Sequence, residues 1–231
     1  MTGRTSGTVG RRRAALLATL ALALIAAVDG LVVTGQVLYG AADKAQRGAT
    51  VDILAVYAHN PIYMRMKAEG LSETDGARGS KLFADAQACT NKALVKVAKA
   101  EKLDVITVPG GVSGGAEPIR DLTSAVVDQL PLYFVEGRVL TGATADARVV
   151  VELDSARVLA AIPAWRESQS LTENDANWHF LRKQAQDAFE KAVKKVARDG
   201  GYDAVVEKGG VTCRLGPVAD VTQLAITALG S

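Results

Sequence analysis

The sequence predicts an α+β fold in which an N-terminal transmembrane helix is followed by two tandem β-α-β-β-α repeats. Three observations lead there. The stretch from Asn91 to Leu130 recurs from Glu190 to Leu229 without a gap, at a constant offset of 99 residues. Within each copy, β-branched runs alternate with segments whose apolar residues recur at helical spacing. Ahead of both lies an apolar run, Ala14 to Val28, introduced by Arg11-Arg12-Arg13.

The apolar run alone would reach about 22 Å as a helix, short of a hydrocarbon core of roughly 30 Å. Extended through Asp29-Gly30 to Tyr39 it is long enough, with one carboxylate and one glutamine inside. A cleaved signal peptide would share the basic and apolar regions. The end of the run offers no good small-x-small cleavage site, and Gly40-Ala41-Ala42 lies too far downstream, so an uncleaved anchor over Ala14–Tyr39 is the expectation. Basic residues before the span place the N-terminus in the cytoplasm and the bulk of the chain in the periplasm. Asp29 then snorkels to the interface or sits protonated beside it. The expected divisions are 1–40 for the basic segment and anchor, 41–130 and 148–231 for the two repeats, and 131–147 for a connecting hairpin.

In each copy the first strand is read in VDILAVY from Val51 and RVVVEL from Arg148. SETD from Ser72 and TEND from Thr172 supply caps and first-turn acids for a helix. Leu82, Ala86, Leu94 and Val97 then recur at helical spacing, as do Phe180, Ala188, Val193 and Val196. The chain turns at Glu101-Lys102 and Gly200-Gly201, and strands follow over Asp104–Val108 and Asp203–Glu207. The pairs Gly110-Gly111 and Gly209-Gly210 suit a tight hairpin, with return strands from Val112 and Val211. Pro118 and Pro217 end these strands, and Asp121 and Asp220 cap a final helix.

Composition points away from catalysis. Hydrophobic residues make up 48%, charged residues 23% and aromatics 5% of 231 residues, which excludes a disordered chain and a polytopic membrane protein. A net charge of +2 gives no strong field for a polyanion. Two cysteines, Cys89 and Cys213, cannot build a disulfide framework or a four-thiolate zinc site, and two separate buried thiols are expected. His59 and His179 have no second ligand at i+3 or i+4, so both read as structural or surface residues. PGGVSGG from Pro109 lacks the Gly-Lys-Ser/Thr of a phosphate loop. Lys92, Lys96, Lys99 and Lys102, echoed by Lys191, Lys194, Lys195 and Arg198, lack nearby aromatic stacking partners and read as solvated helix faces. Ser113 and Ser155 have no base arranged with them. No catalytic, cofactor-binding or metal-ligating residue is assigned, and the chain is expected not to be an enzyme.

Certain segments carry a family resemblance. Leu71-Ser72-Glu73, Leu103–Pro109, Val112 and the run Gly115-Ala116-Glu117-Pro118-Ile119-Arg120-Asp121-Leu122-Thr123 are similar to the TrbI family of F-type conjugative transfer systems. The resemblance covers roughly residues 14–130 and recurs in the second copy, whereas that family usually carries one copy. Gly201–Glu207 and Asp220–Thr222 also resemble the body of the Skp/OmpH periplasmic chaperones, whose long helical arms do not fit between the strands here. The first resemblance implies a non-enzymatic inner-membrane component of a conjugative type IV secretion system. It would act on pilus assembly or extension and retraction through contacts with other envelope proteins. The second implies a periplasmic holdase. Neither family has catalytic residues to carry over, no specific nucleic-acid binding is expected, and self-association is left open.

Overall fold

The computed structural model describes residues 30–230, so the anchor expected over residues 14–28, and Asp29, lie outside the described residues. The remainder of the expected span is not helical. Leu31–Val33 and Val37–Gly40 are strands β1 and β2, each drawn into a sheet by partners far along the chain. Among the described residues no helix is long and apolar enough to cross a membrane.

After β2 come β3 (Gly48–Thr50), α1 (Ile53–Ala58), α2 (Pro61–Ala68), α3 (Gly76–Glu101), β4 (Val105–Thr107), β5 (Val112–Gly114), β6 (Arg120–Asp121) and α4 (Thr123–Asp128). The same series then returns as β7 (Tyr133–Val135), β8 (Val139–Gly142), β9 (Val150–Leu153), α5 (Ser155–Ala161), α6 (Pro163–Ser168), α7 (Ala176–Gly200), β10 (Ala204–Glu207), β11 (Val211–Cys213) and α8 (Thr222–Ala228). The fold is mixed α+β, but each copy is richer than β-α-β-β-α, with a preceding strand pair and three helices in place of one.

Two local signals explain the difference. VDILAVY is largely helix because the Asp52 carboxylate accepts hydrogen bonds from Leu54 N and Ala55 N, which starts α1 inside the β-branched run. Its counterpart Asp154 caps α5 in the same way through Arg157 N, and RVVVEL upstream of it does form β9. Pro61 and Pro163 then open α2 and α6, where the missing N–H costs nothing.

The glycine pairs do not make hairpins. β4 pairs with β2 and β3, whereas β5 pairs with β1. Thr34 N and Gly35 N both donate to Gly111 O, and Val108 N donates to Gln36 O, so β1–β2 and β4–β5 are two bent strands paired along their length. The bends cross closely: a Cβ on Gly35 would stand 2.4 Å from the Gly111 Cα. The second copy repeats this with Glu136 N and Gly137 N on Gly210 O, and a Cβ on Gly137 would lie 2.5 Å from the Gly210 Cα. Likewise 131–147 holds two strands that do not pair with each other: β7 pairs with β11 and β8 with β10.

The main sheets run β2-β4-β3-β6 and β8-β10-β9, and a parallel bridge between Glu152 and Asp220 stands where β6 would be. Asp104 and Asp203 pin the strands at one end, each carboxylate accepting two backbone N–H groups (Gln46 and Arg47; Arg148 and Val149). Both carboxyls are held below the usual range by those bonds. Asp121 and Asp220, expected as N-caps, stand one residue ahead of that position, which Leu122 and Val221 occupy, and accept from Thr123 N and Thr222 N at the start of α4 and α8. The long helices lie on these sheets. Val51, Val56, Leu94, Val97, Ile106 and Val126 form one core, and Leu153, Val158, Val193, Val196, Val205 and Ala225 form its twin.

Candidate functional site

The two cores differ where α1/α2/α3 and α5/α6/α7 meet, and that difference shapes the surface. In the first copy buried Asn60 caps α2 through its Oδ1, while its Nδ2 donates to Ala86 O and Thr90 Oγ1. Beside it Tyr57, Tyr63 and Phe83 gather, with ring centroids 5.3 and 6.0 Å from Tyr57. Together with Met66, Lys67 and Glu73 they line a groove of about 360 Å³, and Leu54 stands 73% exposed on its rim. Burial, then the neighbouring Tyr63 and Glu73, push the Tyr57 phenol up.

The corresponding place in the second copy is filled from within. Arg182 stands at the helical position of Phe83, its guanidinium 3.8 Å from the Trp165 ring centroid and 4.9 Å from that of Trp178. That copy instead opens a groove of about 430 Å³ between α7 and α8, lined by Val196, Tyr202, Leu224 and Lys195, with Leu224 54% exposed. Each copy thus presents an apolar depression with an exposed leucine in its lining, Leu54 in the first and Leu224 in the second.

A third feature joins the copies. Phe134 of β7 packs with Ile62, Met66 and Leu82 of α2 and α3. Around it Arg65 Nη1 donates to Gly209 O at 2.7 Å, and Arg78 forks onto Glu136 at 2.8 and 3.0 Å. Glu69 accepts from both arginines at 2.6 Å, and these bonds, that of Arg78 first, hold its carboxyl at about 2. Arg78 itself is pushed up, and Glu136 is held low by the same pair. A carboxyl whose pKa is lower folded than unfolded contributes its full stabilisation above the unfolded value near 4.3 and loses it as pH falls toward 2. The melting temperature is therefore expected to fall as pH drops from about 4.5 to 2. Arg78→Met should remove part of that slope in a calorimetric pH series, and an unchanged slope would show that the network is not coupled to folding.

The residues singled out by sequence lie apart from these features. His59 closes α1, its Nδ1 2.9 Å from Ala55 O, and His179 lies in α7 against Trp178. Among the described residues no cluster of three or more His, Cys, Asp or Glu is placed to hold a metal. Cys89 and Cys213 are free and half-buried, and burial pushes the Cys89 thiol up. Lys92, Lys96 and Lys99 are exposed along α3, and Lys102 is exposed at its C-cap. Gly110-Gly111 belongs to the bent ribbon described above. Sequence reasoning missed Asn60, Phe134, Arg78 and Glu136. The available signal was asymmetry between the copies: Ile162 and Phe189 replace Asn60 and Thr90, a hydrogen-bonded pair exchanged for an apolar one.

Comparison with protein-family models, with curated proteins and with solved structures finds no match.

Proposed function

We propose that this chain is a non-enzymatic inner-membrane accessory component of an F-type conjugative type IV secretion system, acting on pilus assembly or on extension and retraction. The observation that carries the reading is the unit Gly115–Thr123, with its preceding strand and Leu71-Ser72-Glu73, repeated behind a basic and apolar leader. The N-terminus would lie in the cytoplasm and both copies in the periplasm, tethered so that they meet partners confined to the envelope. Work is then done by contact alone. Apolar depressions rimmed by Leu54 and Leu224 suit side chains from other envelope proteins, with charged neighbours such as Lys67, Glu73 and Lys195 setting orientation.

The test is deletion of the gene in a donor cell that carries its native transfer locus. Reduced transfer and altered pilus length, with the chain in the inner-membrane fraction, are expected. Unchanged transfer and pili, or a soluble mature chain, would overturn the reading. Unchanged transfer together with suppressed aggregation of an unfolded outer-membrane protein would favour the chaperone resemblance instead.

A further inference from the structure

The joint between the copies is heterologous. The α2/α3 face of the first copy grips the outer face of the β7/β11 ribbon of the second, using one surface from each and leaving the counterpart of each without such a partner among the described residues. The counterpart ribbon is β1/β5. There Val32 occupies the place of Phe134, directly across from Ser113, as Phe134 is across from Thr212. Ser113 is exposed and Val32 half-buried, and among the described residues Val32 joins none of the apolar clusters. The counterpart helical face is α6/α7.

The residues on these two surfaces have changed together. Across the joint Arg78 meets Glu136, but their counterparts are Asn177 and Thr34, so the charge is gone from both sides at once. Lys81, whose charge feels Glu136, is replaced by Phe180, which stands 67% exposed. Size has fallen on both sides as well: the ribbon offers Val32 in place of Phe134, and Ile62, Met66 and Leu82, which pack on Phe134, have Ala164, Ser168 and Leu181 as counterparts. One position does not match. Glu167 stands where Arg65 donates to a ribbon carbonyl, and would face the Gly110 turn without that bond.

We infer that the α6/α7 face of one copy of this chain receives the β1/β5 ribbon of a second copy, so that the chain self-associates head to tail. The contact repeats the joint already built into each chain, without the Arg78–Glu136 ion pair. It does not depend on a role in conjugation. A heterologous contact of this kind closes into a ring or extends as a filament according to its rotation.

The test uses the full-length chain in a mild detergent, with protein mass read by light scattering over a concentration series. The mass is expected to rise above that of a monomer. Val32→Glu or Ser113→Arg on the ribbon, and Phe180→Glu on the helical face, should each return it to the monomer. Ser113 and Phe180 are exposed, so their variants leave the cores intact. Mixing a ribbon variant with Phe180→Glu should give assemblies of two chains and no more, because one free surface of each kind remains. Glu167→Arg, which restores the missing donor, should tighten association about tenfold. A wild type monomeric at every concentration would overturn the inference. So would an assembly that survives all three blocking variants, mixed variants that remain monomeric, or a Glu167→Arg chain that associates no more tightly.

Discussion

Replacing Gly142 by alanine is expected to unfold the second copy far more readily than alanine at a neighbouring turn glycine. Gly142 ends β8 with φ +85°, and a Cβ there would stand 2.0 Å from the Asp203 carbonyl oxygen. The strand end cannot retreat, because Asp203 also holds Arg148 N and Val149 N with its carboxylate. Left-handed backbone costs about 1 kcal/mol for alanine, and displacing the β10 backbone raises the total to about 3 kcal/mol or more. Gly209 is the control: its φ is +76° with nothing within 4 Å of a new Cβ, so alanine there should cost only about 1 kcal/mol. Urea unfolding of both variants decides the matter, and equal costs would contradict it. Gly40 holds the same place in the first copy, 1.8 Å from Asp104 O.

The second large effect is expected at Asn60. Alanine removes the α2 cap, worth about 1 kcal/mol, and strands the buried Thr90 hydroxyl, worth a further 1–3 kcal/mol or so. A total near 3 kcal/mol follows. The second copy points to a compensation, since Ile162 and Phe189 fill the same two positions without polar groups. Asn60→Ile with Thr90→Val should therefore be less destabilised than the sum of the two single variants. Strict additivity in a double-mutant cycle would show that Asn60 and Thr90 do not act as a pair.

What could be read from sequence was the part where the copies keep one spacing. From Asn91 and Glu190 onward, Asp104/Asp203, the glycine pairs and Asp121/Asp220 do fill equivalent places at the strand end, in the bend and just ahead of the last helix. Upstream the spacing changes: Asp52 and Asp154, or Pro61 and Pro163, are 102 residues apart. The first copy thus carries three more residues around the α2–α3 turn, and a match of VDILAVYA to RVVVELDS slips across it. Local β propensity reinforced the slip, because only the Asp52 carboxylate distinguishes α1 from a strand. The candidate surfaces were less legible still. Arg78 and Glu136 meet across 58 residues, and Phe134 is buried by a helix of the other copy, so neither has a local pattern. Exposure of Leu54, Phe180 and Leu224 is likewise decided by how helices pack, not by sequence periodicity.

The proposed role requires contact between this chain and other polypeptides at the envelope. Photo-crosslinking in intact cells, with benzoylphenylalanine placed in turn at Leu54, Phe180 and Leu224, reads that contact directly. Adducts to a polypeptide, recovered in the membrane fraction from at least one position, are the result expected. No adduct at any of the three, with the chain free in the soluble fraction, would contradict it.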